Sequence, residues 1–495
     1  MNLSHKWFYT SIIFHEKNQK NDATKQRLYC INNFVRRAFL DKFRSSGGEM
    51  KTAIVGSGVA GLMAAYELFS KGHEVTVFEA KDHIGGHVWT IPFPVKDDVT
   101  GEEYIFPVEL GVFMHDPKYI HPVMNRIAQE WGIKIKEFLL TFTCQDAETK
   151  ISWSTESKYS GIMRNLFILL KAAKDGAKEG HGIRDCKLIY ELTCFLERLP
   201  EVSRSERYRG MSLQEFLAEE KLSDLLRDDW ILPQVMCWWG STREVALSSS
   251  IQVLADSINK VSVTPQYIFE DGWDLFMERL AQDFREFIRT GCPVTKISRS
   301  NEGVEIFSRG SSEKFDAVVL AVPPNIALLL LDQPSDEEEE ILSTFETATT
   351  KVYMHTDTDW MPKNEKWSVI NLIGDERGYF CTFWGGGVDE RKPKVFLTWG
   401  DSLKSTPDDS KIFLTVDWLR TLPTVGYSRA CKDIRSLQGI NKTWYCGAHV
   451  HALDSDGKDN PPSLWHDNAL RSGQNAARMI EESVMENDKS PAKHI

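Results

Sequence analysis

Three glycines and one glutamate near residue 60 have the types and spacing needed to bind a dinucleotide. Gly56, Gly58 and Gly61 follow a short apolar run, and Glu79 lies 18 residues after the last of them. The first glycine permits a tight turn, the second lets the backbone approach a pyrophosphate, and the third lets a helix pack on a strand. A carboxylate at Glu79 can accept hydrogen bonds from a ribose and disfavours a 2′-phosphate at that place.

The elements that must position these residues occur in the required order. Residues 53–55 have the composition of a buried strand, residues 62–71 are helix-like, and residues 74–78 are typical of a second strand. Such a βαβ unit directs the N-terminus of its helix at the phosphates. A glycine-rich helix start without a ligand is the alternative interpretation, and it leaves Glu79 unexplained.

The chain continues past the acid into a second glycine turn. Gly85, Gly86 and His87 follow Glu79 in the order E-x(5)-G-G-H. This string resembles the flavin-containing amine oxidase superfamily, which includes monoamine and polyamine oxidases, protoporphyrinogen oxidase and the carotenoid desaturases. The resemblance implies FAD bound in an elongated form, with the backbone of the second glycine turn near its diphosphate.

Two distant segments resemble the remaining parts of the superfamily's FAD site. Residues 315–324 are typical of a buried strand stopped by two prolines, and they follow a strand-like segment near Val294. The resemblance implies that the backbone of Val294 contacts the adenine. Gly447 follows another strand-like run, and the next helix-like segment begins close to His466. In the superfamily this helix points its N-terminus at the flavin ring, where its dipole stabilises negative charge.

The resemblance therefore implies an α/β fold: a Rossmann-like FAD-binding domain with an inserted α+β substrate domain of antiparallel sheet and helices. We predict that residues 50–113, 250–335 and 430–485 form the FAD-binding domain, and that residues 114–249 and 336–429 form the substrate domain. Residues 1–49 are expected to be a basic extension and residues 486–495 a flexible tail. The residues predicted to contact FAD are Gly56, Ser57, Gly58, Val59, Ala60, Gly61, Glu79, Ala80, Gly85, Gly86, His87, Val294, Gly447, His466 and Leu470.

Local strings narrow the resemblance to one subgroup of FAD-binding oxidoreductases. These strings include residues 355–357, 367–371 and 446–448. The subgroup is similar to the N-terminal flavin domain of plant cyclopropane fatty acid synthases and to a bacterial flavin-dependent desaturase of methyl-branched acyl chains. The resemblance implies an apolar, acyl lipid substrate more than a soluble amine. The chain departs from the subgroup's H-E-D-G string at Asn468 and Ala469, where the flavin ring is expected.

Few side chains are needed for the chemistry, because a flavin accepts the hydride itself. Lys351 precedes a strand where monoamine oxidases place a lysine that is bridged through water to flavin N5; a surface lysine is the alternative. Trp465 and His466 stand where the superfamily places a residue that flanks the flavin, with helix capping and packing as the alternative. These three residues are the catalytic candidates. FAD is expected to be non-covalent, although a link through His87 is conceivable.

Composition limits the other classes of function. The net charge of −12 gives no support to nucleic-acid binding. The nine cysteines include no C-x-x-C pair and no metal-ligand spacing, so no metal is predicted, and reduced thiols of an intracellular protein are favoured. No apolar run in the sequence reaches the ~18–20 residues that a membrane-spanning helix requires.

The cellular location stays open. Residues 1–49 carry nine Lys or Arg against four Asp or Glu. They could be an organelle presequence, a disordered basic tail or an upstream extension of the reading frame. Basic residues interleave with apolar ones in residues 158–178, which fits either a core-facing helix pair or a lid that contacts lipid. We expect a cytoplasmic protein or one peripheral to a membrane, with mitochondrial or plastid targeting as an alternative.

Three functions remain after these observations. The leading hypothesis is an FAD-dependent oxidoreductase that abstracts hydride from an apolar, fatty acyl substrate and so oxidises or desaturates it. The second is an amine oxidase that releases peroxide, which an aromatic cage beside the flavin would favour. The third is a flavin-binding accessory protein without turnover, supported in the sequence by the altered turn at Asn468 and Ala469.

Overall fold

The computed structural model describes eleven stretches of the chain. They are residues 49–97, 100–118, 121–146, 152–154, 182–262, 266–363, 367–375, 378–389, 391–400, 405–450 and 464–489. The basic segment before residue 49 and the candidate lid at residues 158–178 lie outside them. Among the described helices, none combines the length and the hydrophobicity that crossing a membrane requires.

Strands and helices occur mostly in runs of one kind along the described chain. The strands are β1 Lys51–Val55, β2 Glu74–Phe78, β3 Thr90–Lys96, β4 Glu103–Glu109, β5 Ile135–Phe138, β6 Phe142–Asp146, β7 Ser152–Ser154, β8 Gln266–Phe269, β9 Ile288–Arg289, β10 Val294–Ser300, β11 Gly303–Ser308, β12 Ser311–Phe315, β13 Ala317–Leu320, β14 Thr347–His355, β15 Ile370–Asp375, β16 Gly378–Trp384, β17 Phe396–Trp399, β18 Ile412–Thr421 and β19 Thr443–Tyr445. The helices are α1 Val59–Ser70, α2 Pro122–Glu130, α3 Gly182–Val202, α4 Leu213–Glu219, α5 Asp224–Leu226, α6 Leu232–Trp239, α7 Arg243–Ser248, α8 Ile251–Ser262, α9 Asp274–Ala281, α10 Pro324–Leu330, α11 Asp336–Ser343, α12 Val425–Asp433 and α13 His466–Lys489.

A parallel sheet with the order β19-β13-β1-β2-β9 forms the centre of the first unit. Its strands come from all three of the segments predicted to form the FAD-binding domain. β13 is buried along its whole length, as expected for a strand covered on both faces. On one face α13 crosses close to α1, because Gly473 has no side chain: a Cβ there would lie 2.2 Å from the carbonyl oxygen of Ala60.

A second sheet with the order β18-β14-β17-β16-β15-β6-β7 forms the other unit. Its neighbouring strands are antiparallel except for the parallel pair β15 and β6. The described residues of the aromatic-rich region 351–396 form antiparallel strands of this sheet. Helices α3 to α8 pack beside this sheet around their own apolar core. Ser212 and Glu215 form a capping box at the start of α4.

Two boundaries differ from the sequence prediction. Residues 118–136 have helical periodicity in the sequence, but the helix there is limited to α2, because Gly132 with φ +68° ends it and the chain continues into β5. The predicted flexible tail begins too early, since α13 continues to Lys489. No proline or glycine interrupts the sequence between Gly473 and Pro491, so nothing breaks the helix at residue 486.

Candidate functional site

The first glycine turn leaves the N-terminus of α1 open. Gly56 has φ +103°, and a Cβ there would lie 2.6 Å from the carbonyl oxygen of Ala321. At Gly58 no heavy atom lies within 4 Å of the position that a Cβ would take. No side chain caps α1, and its first turn contains no acidic residue. The backbone amides of this turn, including those of Val59 and Ala60, are therefore oriented to receive an anion.

Glu79 connects the loop after β1 to the loop after β2. One carboxylate oxygen accepts hydrogen bonds from the amide and the hydroxyl of Ser57, at 2.9 and 2.6 Å. The other accepts from the amide of Lys81 at 2.9 Å. A carboxylate offers about four acceptor positions, so one remains for a ribose hydroxyl. The Ser57 hydroxyl orients Glu79, and the exposed Ala80 follows it.

The second glycine turn packs directly against the first. The amide of Gly85 donates to the carbonyl oxygen of Ser57 at 3.0 Å. A Cβ at Gly86 would lie 3.1 Å from the Cα of Gly58. The amide of Cys292, two residues before Val294, donates to the carbonyl oxygen of Glu79 at 2.7 Å. The structure thus brings the two glycine turns, Glu79 and the Val294 segment together at one end of the parallel sheet.

Beyond the second turn, three basic side chains share a buried space. His87 Nε2, His466 Nδ1 and Arg420 Nε are buried and have no hydrogen-bond partner among the described residues. Burial, assisted by the positive charges of Arg420, His466 and Lys81, lowers the pKa of His87 to about 3. Burial and Arg420 lower the pKa of His466 to about 4. Both imidazoles are therefore neutral at pH 7.

Arg420 keeps its charge in this space. Burial lowers its pKa, but only to about 10, and the neighbouring Cys237 acts in the opposite direction. Within the described part of the chain, no carboxylate pairs with its guanidinium. A buried cation without an anion is costly, so this position is suited to a negatively charged group from a ligand.

An aromatic side chain of β18 covers the second glycine turn. The ring of Trp418 lies 4.9 Å from that of His87, and the ammonium of Lys81 lies 4.2 Å above the Trp418 ring. The indole of Trp418 donates to the carbonyl oxygen of Leu110 at 3.0 Å. The antiparallel sheet therefore meets the parallel sheet at the place where the three basic side chains collect.

A second group of rings adjoins His466. The ring centroids of His115 and His121 are 5.2 Å apart, and Trp273 lies 5.8 Å from each of them and 5.9 Å from His466. His115 Nδ1, His121 Nε2 and Trp273 Nε1 are buried without a hydrogen-bond partner in the described structure. Burial lowers the pKa of His115 to about 4, and it lowers the pKa of His121 well below its usual value. These rings offer neutral donors and acceptors beside His466.

Glu109 holds this second group in place. Its carboxylate accepts from the amide of Trp273 and from the hydroxyl of Thr90, both at 2.9 Å. Burial raises its pKa to about 8, against the effect of these hydrogen bonds. Glu109 therefore links β3, β4 and the start of α9 mainly in its protonated form at neutral pH.

The unusual residues at the start of α13 secure its N-terminus. Asp467 accepts from the amides of Val123 and Met124, each at 2.9 Å, at the N-terminus of α2. The side-chain amide of Asn468 donates to the backbone carbonyl oxygens of Ala448 and Val450, at 2.8 and 3.1 Å. Asn468, which stands where the subgroup's H-E-D-G string has an aspartate, thus connects α13 to the loop that follows β19.

Of the remaining predicted residues, Trp465 and Gly447 lie near the site and Leu470 lies in the apolar core. Trp465 is half-buried, with its ring 6.3 Å from that of His121. Gly447 has φ +147°, and its amide donates to the Ser472 hydroxyl at 2.8 Å, which fixes the loop beside α13. Leu470 is different, because its side chain is fully buried in the core of the parallel-sheet unit. Its side chain faces other apolar residues, and its predicted contact with FAD stays a prediction.

Lys351 lies outside this group of residues. Its side chain is 50% exposed and forms an ion pair with Asp417 at 3.1 Å across β14 and β18. Its neighbours Thr350 and Val352 face inward, so strand alternation directs Lys351 to the opposite face. This placement supports the interpretation as a surface lysine and gives no support to a role beside the flavin.

Sequence reasoning missed Arg420, His115 and His121. Arg420 had a detectable signal, because Val416 and Trp418 precede it on the same face of β18 and both are buried. An arginine that continues an apolar stripe is a candidate for an interior charge. His115 and His121 have no such signal, since they lie in irregular chain between β4 and α2.

These features define a class of protein: a two-unit dinucleotide-binding protein whose site extends from a βαβ unit to the N-terminus of a C-terminal helix. The chain matches the family model of flavin containing amine oxidoreductases over residues 59–435, more than half of its length. It belongs to this family.

Curated relatives of several kinds are similar to the chain. An L-amino-acid oxidase of Siganus canaliculatus is 27% identical over 305 residues, which are 57% of this chain and 51% of the relative. Polyamine oxidase 4 of Oryza sativa is 23% identical, covering 66% of this chain and 63% of its own length. Zeta-carotene desaturase of Capsicum annuum is 32% identical over 104 residues, 21% of this chain and 16% of its own. The chain spans about half the length of the first curated relatives that it matches.

Solved structures share the fold. A fatty acid isomerase from P. acnes superposes with a TM-score of 0.58 at 16% identity, covering 88% of this chain and 99% of the other. Cyclohexylamine oxidase from Brevibacterium oxydans gives a TM-score of 0.57 at 16% identity, covering 88% and 100%. At these identities the likeness establishes a Rossmann-like domain with an inserted substrate domain.

The residues present fit FAD, the cofactor of this protein. The open space at Gly58 admits a diphosphate, and Glu79 retains an acceptor position for the ribose. The buried nitrogens of His87 and His466 require partners that the described chain does not supply, and a flavin ring carries the complementary oxygens and nitrogens. Both ends of the site are therefore suited to the two ends of FAD.

Proposed function

We propose that the protein is an FAD-dependent oxidoreductase that removes hydride from an apolar substrate with a negatively charged end, most simply a fatty acid. The observation that carries this proposal is Arg420, whose guanidinium Nε is buried without a hydrogen-bond partner, which has no carboxylate partner among the described residues, and which lies beside His87 and His466. The relatives named as carotene desaturases and the fatty acid isomerase support apolar substrates within this fold.

The electrostatics of the site disfavour a polyamine. Arg420 and Lys81 both act on His87 as positive charges, and the nearby Glu109 has its pKa raised to about 8. An ammonium substrate would therefore meet cations and neutral groups, and like charges brought together in a buried site repel strongly. A carboxylate would meet the opposite environment.

The side chains near the expected position of the flavin have different roles. When bound, FAD accepts the hydride. Arg420 binds the negative end of the substrate and orients the chain. His466 stays neutral at pH 7, so its unpartnered nitrogen can accept a proton or a hydrogen bond. Trp418 and Trp465 exclude water from the junction between the two sheets.

Oxidation of an amine is the second candidate, and an L-amino acid is its best-supported substrate. Arg420 would bind the carboxylate of an amino acid equally well, and the L-amino-acid oxidases among the relatives favour this chemistry. The fatty acid is preferred because the described side chains that act on His87 and His466 are basic or neutral, and none is a carboxylate that would bind the ammonium.

Anaerobic stopped-flow reduction of the flavin tests this proposal. The purified FAD-loaded chain is mixed with an unsaturated and a saturated fatty acid, an L-amino acid and spermidine, and loss of the visible flavin absorbance is recorded. Reduction by a fatty acid alone is expected. Reduction by spermidine alone would contradict the proposal, reduction by an amino acid alone would establish the second candidate, and no reduction would favour the accessory protein.

Replacement of Arg420 tests the role of the charge. Arg420→Gln should raise the apparent Kd for the fatty acid at least ~10-fold, because a buried charge pair loses one partner. Arg420→Lys keeps the charge and should recover part of the affinity. FAD content and the thermal unfolding midpoint of both variants serve as controls. Unchanged substrate affinity in Arg420→Gln would show that the guanidinium serves another group.

A further inference from the structure

Two buried cysteines from distant parts of the chain meet near Arg420. Cys237 lies in α6 and Cys381 in β16, 144 residues apart, and their Sγ atoms are 2.8 Å from each other. Both side chains are buried. A disulfide bond is about 2.05 Å long, so the two sulfurs need to approach by only about 0.8 Å to form one.

This pair differs from another buried cysteine of the chain. The sulfur of Cys292 lies 3.0 Å from the hydroxyl of Ser308, a group that cannot form a disulfide. The backbone around Cys237 is held on the sheet, since its carbonyl oxygen accepts a hydrogen bond from the Trp399 indole at 3.0 Å. The closeness of the two sulfurs therefore rests on packing between α6 and the sheet.

The two sulfurs have different surroundings. Cys237 raises the pKa of Arg420 against the effect of burial, so this sulfur lies close enough to the guanidinium to interact with it. Burial and the neighbouring Cys237 raise the pKa of the Cys381 thiol well above its usual value. A thiolate beside a cation is the reactive form of cysteine, and a buried thiol next to it can resolve the product.

We propose that Cys237 and Cys381 form a redox-active pair, which hydrogen peroxide converts into a disulfide that joins α6 to β16. The Cys237 thiolate attacks one peroxide oxygen; an S–O bond forms, the O–O bond breaks, and the released hydroxide takes a proton and leaves as water. The Cys381 thiol then attacks the sulfenic sulfur; the S–S bond forms, the S–O bond breaks, and a second water leaves. Two thiols lose two electrons in total, and one peroxide is reduced to two waters.

The proposal goes beyond the oxidoreductase activity and rests on it only for a source of peroxide. A reduced flavin that passes electrons to oxygen would release peroxide near Arg420 and so near the pair.

Peptide mapping after oxidation tests the pair. The purified FAD-loaded chain is treated with a few equivalents of hydrogen peroxide, unfolded in an alkylating reagent and digested without reduction. A cross-linked peptide containing Cys237 and Cys381 is expected, and reduction should abolish it. Recovery of both cysteines as alkylated free thiols, or as separate sulfinic acids, would overturn the proposal.

Two variants provide controls. Cys431→Ser removes a buried thiol of α12 and should leave the cross-link unchanged. Cys381→Ser should abolish it and leave Cys237 as a sulfenic acid that a dimedone probe captures; if this variant does not fold, the wild-type peptide map decides alone. A parallel sample receives substrate and oxygen in place of peroxide. A cross-link with added peroxide but none during turnover would count against oxygen as the electron acceptor and leave the pair established.

Discussion

The two ends of the FAD site are constructed in opposite ways. The end formed by the glycine turns uses backbone groups, and Glu79, its main polar side chain, is engaged by Ser57 and Lys81. The end formed around His466 uses side chains from several distant segments, and their buried nitrogens lack partners within the described chain. The first end can bind a diphosphate in any relative with the same turns. In the proposed function, the second end carries the charges that select a substrate.

The largest effect on stability is expected at Gly61, in the end of the site that is formed by backbone groups. Gly61→Ala would place a Cβ 2.0 Å from the carbonyl oxygen of Gly56. Because that contact joins helix to strand, the helix must move, and the unfolding free energy of the apoprotein should fall by about 3 kcal/mol or more. Urea denaturation without FAD measures this loss.

Gly58→Ala is the matched control for that experiment. No heavy atom lies within 4 Å of its Cβ position, and φ is −66°, which alanine adopts readily. The apoprotein should stay within ~1 kcal/mol of the wild type, as for other replacements at helix starts. FAD affinity should fall at least ~10-fold in a fluorescence titration, because the methyl group occupies the space needed by the diphosphate. Wild-type affinity for FAD would show that the diphosphate lies elsewhere.

A smaller, pH-dependent effect on the unfolding free energy is expected at Glu109, which lies at the junction between the two ends of the site. The pKa of Glu109 is about 8 in the fold against an ordinary 4.5, so between these values the folded protein holds a proton that the unfolded chain releases. The unfolding free energy should therefore decrease as pH rises from about 4.5 to about 8.

Glu109→Gln isolates this contribution. The variant cannot ionise but retains an acceptor for Thr90 and Trp273, so its stability should depend less on pH across that window in urea melts. His87 and His466 act in the opposite direction, because the unfolded chain takes up protons on them as pH falls below 6.5. This loss of stability below pH 6.5 should persist in Glu109→Gln. Identical pH profiles for both proteins would show that Glu109 is ionised in the fold.

The smallest effect is expected at Lys351. Its ion pair with Asp417 is about half exposed, and such surface pairs contribute about 0–1 kcal/mol. Lys351→Met should leave the rate of flavin reduction within ~2-fold of the wild type in stopped-flow measurements. A tenfold decrease would restore the hypothesis of a lysine beside the flavin and would extend the second end of the site to β14.

The sequence predicted the first end well because its determinants are local. The spacing of Gly56, Gly58 and Gly61 specifies a turn and a helix start; both are present, with the helix beginning at Val59, three residues before the predicted segment. The Ser-x-x-Glu spacing of Ser212 and Glu215 likewise specifies the cap of α4. Each of these signals depends on neighbours within a few residues.

At the second end, Arg420, His115 and His121 escaped prediction, because the determinants of this end are tertiary. The neutrality of His87 and His466 follows from burial beneath β18, which lies more than 300 residues after His87. The position of Lys351 depends on which face of β14 packs inward, and a lysine in a strand does not reveal this. Leu470 was assigned by motif position, whereas the packing of α13 against α1 decides where its side chain lies.

The order of strands in the parallel sheet also has a consequence for biosynthesis. β1 and β2 leave the ribosome early, yet the sheet lacks β13 until residue 320 and β19 until residue 445. At a translation rate of roughly 5–20 residues per second, β1 waits on the order of 10–50 s for β13 and longer for β19. During this interval one edge of an apolar strand is unpaired in the nascent chain. The fold that brings three separated segments to one cofactor therefore depends on protection of that edge during synthesis.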